Sequence, residues 1–151
     1  MSFKFLFLSA IISLVLSCNS EPKESPTVNV TPSMLSSTNC YRLTNNKDTL
    51  VLKTSLINDT VSGTLSYNYY QKDKNHGKIE GVMKGDLIIA DYIFFSEGVQ
   101  SIREVAFKKI GDNFIEGYGE VEEKDGKTIF KNPNSLTFNQ AVVLNKIDCE
   151  K

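Results

Sequence analysis

A single histidine, His76, and three cysteines set the first limits on what this chain can do. With no second histidine and no pair of thiols at ligand spacing, the residues assemble neither a zinc site nor a Ser-His-Asp triad, so no metal and no catalytic residue is expected. No phosphate-binding loop or dinucleotide fingerprint occurs, and no cofactor is expected. Charge of one sign is also missing. Seventeen basic residues stand against eighteen acidic ones, without a basic patch, which argues against nucleic acid as a partner. Three of the four prolines fall between residues 22 and 32, leaving the rest of the chain almost free of them. Tryptophan is absent, and nine Phe and six Tyr supply the aromatic content. Finally, no segment carries an apolar stripe at helical period; residues 139–145 hold at most one helical turn.

What is present begins with an address. Lys4 precedes an apolar run through residues 5–16, closed by Ser17-Cys18. About a dozen apolar residues behind a positive end is the length of a secretory signal and is short for a membrane span. Val15-Leu16-Ser17-Cys18 resembles the lipobox of bacterial lipoprotein signal peptides. The resemblance implies cleavage before Cys18, diacylglycerol on its sulfur and acylation of the new amine. A bacterial cell envelope, and specifically lipid anchoring in the outer membrane, is the expected location. Each buried methylene of an acyl chain contributes about 0.8 kcal/mol, so two or three chains would hold the protein permanently. Residues 1–17 are thus read as signal peptide. Residues 18–38, rich in Pro, Ser and Thr, read as a lipidated flexible tether that would hold the domain some ~25 Å from the membrane.

Residues 39–151 read as one β-barrel-like domain. Cys40 and Cys149 sit near its two ends, and an exported protein matures where disulfides persist, so they are the natural pair. The alternative is two free buried thiols. Between them the rhythm is strand, turn, strand: 40–44, 49–57, 60–70, 78–84, 87–95, 99–110, 114–122 and 127–130, with 136–138 and 142–147 to finish. Val61, Gly63, Leu65, Tyr67 and Tyr69 alternate with polar residues, the period-two pattern of a sheet with one wet face. Eight or nine strands joined by polar turns predict an all-β, up-and-down antiparallel meander. It would curl into a small closed or partly open barrel of lipocalin-like architecture. A bridge from first strand to last suits closure.

Ile89-Ala90-Asp91-Tyr92, Ser96-Glu97-Gly98, Arg103-Glu104-Val105-Ala106-Phe107 and Glu116-Gly117-Tyr118-Gly119-Glu120 resemble stretches of small uncharacterised lipoproteins of the Bacteroidota. That resemblance implies lipidation and a compact β domain, and no activity.

Candidate ligand-binding residues are Arg103, Asp91, Tyr92, Glu97 and Tyr118. A three-residue loop at Ser96-Glu97-Gly98 would put Asp91 and Arg103 on one apolar face, with Glu97 at the rim. There the two must pair, because either charge alone is costly to bury. A two-residue turn instead sets Tyr92 against Arg103 and Asp91 against Glu104; it is disfavoured because like charges then stand opposite each other. An Arg–Asp pair inside a barrel reads either as a site for a ligand's carboxylate or phosphate or as a core ion pair, the structural reading being the simpler. Glu116, Tyr118 and Glu120 alternate onto one face, expected to be the solvated one, with Gly117 and Gly119 on the other to admit a bulge or a close neighbour. Tyr67, Tyr69, Tyr70, Tyr92, Phe94 and Phe95 offer an aromatic lining for a pocket or simply a core. His76 is expected in an exposed turn.

Three functions follow as expectations. The first is a non-catalytic envelope lipoprotein whose barrel binds a small apolar or acidic ligand. The second is a module that binds an envelope protein, as inhibitor or accessory subunit. The third, ranked well behind, is a glycan hydrolase using Glu116, Glu120 or Glu97.

Overall fold

The computed structural model describes residues 37–72 and 74–149. Cys18, the signal segment and nearly all of the tether lie outside the described residues. Ten strands follow one another: β1 (Ser37–Asn45), β2 (Asp48–Ile57), β3 (Thr60–Asn68), β4 (Lys74–Lys84), β5 (Leu87–Ser96), β6 (Val99–Ile110), β7 (Asn113–Tyr118), β8 (Val121–Lys124), β9 (Lys127–Phe130) and β10 (Thr137–Ile147). Eight of them close into an antiparallel barrel in the order β1-β2-β3-β4-β5-β6-β7-β10, with β10 returning to β1. The β8–β9 hairpin lies outside the circuit. It adds to the stretch of β6 that β7 leaves unpaired, through Arg103 opposite Thr128.

Two-residue turns make the meander. Asn45 pairs with Asp48, Ile57 with Thr60, Lys84 with Leu87, Ser96 with Val99 and Ile110 with Asn113. Each turn needs at least one residue at positive φ, supplied at Asn46, Asn58, Gly85, Glu97 with Gly98, and Gly111. Asn and Gly tolerate that region best, which is why they punctuate the sequence. One rim carries the Asn58, Gly85 and Gly111 turns. The chain enters there too, since Ser37 pairs with Leu56. The opposite rim carries the Asn46 and Glu97 turns and the β3–β4 connection.

Most of the interior is apolar. Leu52, Leu65, Ile79, Tyr92, Phe107 and Leu144 are wholly buried, and Tyr41 meets Phe114 edge-on at 4.8 Å between ring centres. The β1–β10 seam that closes the barrel has only three paired positions, Cys40–Ile147, Tyr41–Lys146 and Arg42–Asn145. The expected disulfide between Cys40 and Cys149 staples this short seam, with Cα atoms 5.2 Å apart. Gly63 of β3 sits so close to β2 that a Cβ there would stand 1.9 Å from the Lys53 carbonyl oxygen.

Several local expectations are corrected. β4 begins at Lys74, so His76 belongs to a strand, exposed, with its Nδ1 on the Ser66 hydroxyl. The segment expected as one strand over 114–122 is two, because the chain turns off the barrel at Gly119, where a Cβ would strike Leu136. The last two segments are one strand, β10, interrupted between Phe138 and Val143.

Candidate functional site

The register around Arg103 is the one that sets like charges opposite each other, not the three-residue-loop register expected from the sequence. Ser96 pairs with Val99 across the two-residue turn Glu97-Gly98, Tyr92 stands opposite Arg103, and Asp91 opposite Glu104. Tyr92 is wholly buried in the core, so Arg103 points inward with it and Asp91 points outward. The expected Asp91–Arg103 pair therefore does not form. Outside, a third partner relieves the like charges. Lys127 of β9 is hydrogen-bonded to Asp91, and the Phe130 amide donates to Glu104 at 2.8 Å. The hairpin thus covers the two carboxylates that face each other across β5 and β6.

Inside, the Arg103 guanidinium is held by rings. Its central carbon lies 5.0 Å from the Tyr67 ring centre, 5.5 Å from Tyr92 and 5.7 Å from Phe94, while Tyr92 and Phe94 stack on each other at 4.7 Å. Cation–π attraction of this kind holds a guanidinium in place without neutralising it. Among the described residues Arg103 makes no ion pair and donates no hydrogen bond, and its Nε is buried without a partner.

Glu116 is the second charged group at the site, and it overturns the reading of its strand face as solvated. It is 5 % exposed and faces the interior beside Phe114. Two phenols satisfy it: Tyr67 donates to Oε1, and Tyr118 donates to Oε2 at 2.7 Å. Burial, then the neighbouring Glu116 charge, holds both hydroxyls well above the ordinary tyrosine value, so both remain donors. Burial pushes Tyr92 up to about 12, with Arg103 opposing. Gly117, on the other face of β7, lets the Phe138 ring cross the outside of the wall; a Cβ there would stand 2.6 Å from it.

A cavity of about 300 Å³ lies beneath the rim of the Glu97 turn, walled on the barrel side by Tyr67, Tyr69, Asn75, Arg103, Glu116 and Tyr118 and continuing to Val121, Thr128 and Phe130 of the outer hairpin. That is the lower end of the size range of small-molecule sites. A neighbouring cavity of about 170 Å³ shares Tyr69, Glu116 and Tyr118 and reaches the wall near Leu43 and Val142, beyond the three paired positions of the β1–β10 seam.

Of the sequence candidates, the structure brings together Arg103, Tyr92 and Tyr118. Asp91 lies outside under the hairpin, and Glu97 is exposed in its turn, in the left-handed region at φ 51°. Glu120 lies beyond the end of β7 and pairs with Lys131 at 3.4 Å. Within the aromatic set, Tyr67 and Tyr69 line the cavity, whereas Tyr70 and Phe95 are exposed. Asn75 was missed because its segment read as a turn; the period-two run Asn75, Gly77, Ile79 was the signal that β4 starts earlier.

Comparison with protein families, with curated proteins and with solved structures finds no match to this chain. The class is defined by the fold alone: a closed antiparallel β-barrel of eight strands with two more on its outside.

Proposed function

We propose that this protein is a lipid-anchored envelope protein whose barrel binds a small molecule bearing a carboxylate or phosphate, without catalysing its conversion. The observation that carries the binding reading is Arg103: a guanidinium facing the barrel interior, against three rings and lining a cavity, with no hydrogen-bond or ion-pair partner among the described residues. Guanidinium presents paired donors that match such anions, and a half-buried cation without a bound counter-charge favours one. Anchoring rests on the lipobox-like Val15-Leu16-Ser17-Cys18. Of the three carboxylates named for glycan hydrolysis, only Glu116 lines the cavity, and Glu97 and Glu120 do not.

Native mass spectrometry of the full-length protein, purified gently from its source cells, tests the binding. A discrete extra mass, lost on denaturation and missing from a folded Arg103→Met variant, is expected. The same adduct on both proteins would remove Arg103 from the site. Metabolic labelling with an alkynyl fatty acid tests the anchor: label on the wild type and none on Cys18→Ser is expected, and an unlabelled wild type refutes it. A protein-binding role is favoured by one feature, the β5–β6 tip, where Phe95 and Val99 are 64 % and 66 % exposed. It predicts a partner that Phe95→Ser releases.

A further inference from the structure

Opposite charges that share a low-dielectric cavity normally meet, because the attraction grows steeply as water is excluded. Arg103 and Glu116 line one cavity and form no ion pair. Tyr67 keeps them apart. Its ring face carries the guanidinium, and its hydroxyl, at the far end of the same ring, binds Glu116. We infer that the cavity is built for a dipolar ligand, one that offers an anion to Arg103 and a hydrogen-bond donor, ammonium or hydroxyl, to Glu116.

This inference rests on the anion-binding role of Arg103 and adds the second point of recognition. An ionised carboxylate has about four lone-pair sites, of which the two tyrosines take one on each oxygen. Acceptor capacity remains on a side chain fixed at both oxygens. Asn75 adds to it, since its buried Oδ1 has no partner and the residue lines the same cavity. A simple anion would satisfy Arg103 and bring its charge toward Glu116. A simple cation would do the reverse. A molecule carrying both groups satisfies each end, and where the donor is an ammonium it also adds no net charge, so the separated pair favours two-ended ligands over plain ions. Glu104 also borders the cavity, but one of its oxygens is taken by the Phe130 amide that seats the hairpin.

The test uses the full-length protein in detergent and probes that share a ring suited to the aromatic walls. Phenylalanine offers carboxylate and ammonium, phenyllactate carboxylate and hydroxyl, and 3-phenylpropionate carboxylate alone. Calorimetric titration should show phenylalanine or phenyllactate binding about tenfold or more tightly than 3-phenylpropionate, the worth of one hydrogen bond to a charged group. Which of the two wins separates an amino acid from a hydroxy acid. Glu116→Gln should collapse that preference while leaving 3-phenylpropionate bound at least as tightly. Equal binding of all three probes, no binding by any, or a preference that survives Glu116→Gln overturns the inference. The wild-type preference decides the matter even if Glu116→Gln does not fold. Arg103→Met separates the two ideas: if it abolishes binding of three equally bound probes, the anion site stands and the dipolar reading falls. If it changes nothing, the anion site itself is wrong.

Discussion

Replacing Tyr67 by phenylalanine removes one oxygen atom and nothing else from the core. The ring stays 2 % exposed, and its contacts with Tyr92 and with Arg103 are kept. What is lost is the donor to Glu116 Oε1, a carboxylate that is 5 % exposed. A hydrogen bond to a charged group contributes about 1.5–3 kcal/mol, and a buried acceptor left unmet falls toward the upper part of that range. Tyr118 still holds the other oxygen, so the expected loss is about 2 kcal/mol, or roughly 8 °C in Tm for a domain of this size. Urea unfolding with linear extrapolation measures it. The Glu116→Gln partner completes a double-mutant cycle, in which coupling of about 1 kcal/mol or more is expected for groups in direct contact. A Tyr67→Phe protein within about 0.5 kcal/mol of wild type, the range of ordinary surface substitutions, would mean that Glu116 is solvated and that the interior site described here is wrong.

Reduction of the Cys40–Cys149 bridge, separated by 109 residues, should cost about 5 kcal/mol by releasing the unfolded chain; identical urea midpoints with and without reductant would refute it. Gly63→Ala should destabilise by about 1–3 kcal/mol or prevent folding, because the new methyl meets the Lys53 backbone, and an unchanged thermal midpoint would contradict that strand spacing. High pH should unfold the domain. Tyr67, Tyr92 and Tyr118 all titrate above the ordinary 10.0 when folded, so their stabilisation is full below pH 10.0 and is lost as pH rises through the folded values. Tyrosinate absorbance and circular dichroism recorded together should change in step for these three. Ionisation of every tyrosine with the fold intact would refute the burial of Tyr67 and Tyr92.

The barrel was legible because its two determinants are local. Alternation in residues such as Val61, Leu65 and Tyr67 sets which face is apolar, and Asn, Asp and Gly at the reversals set where the chain turns. The site was only half legible, because a strand's faces are defined relative to a turn whose length the sequence leaves open. One residue more or less at Glu97-Gly98 exchanges Asp91 for Tyr92 beside Arg103. Pairwise charge repulsion pointed to the wrong choice, since the relief comes from Lys127, which is distant in sequence and arrives on a hairpin outside the barrel. Glu116 was misassigned for a related reason. An isolated carboxylate on a strand is ordinarily solvated, and nothing near it announces that Tyr67, forty-nine residues away, supplies its donor.

The short seam and its disulfide also decide how this domain bears load. Tension transmitted along the segment before Ser37 reaches β1 at the rim opposite the Glu97 turn. It can detach only the residues ahead of Cys40 before it meets a covalent bond to the far end of the chain. Beyond that point the pull passes into Cys149, and the three paired positions that close the cylinder are bypassed. Were the proposed lipid anchor to pull on the domain through the residues before Ser37, the bridge would help keep the cavity walls in register, and that protection would be lost where thiols are reduced.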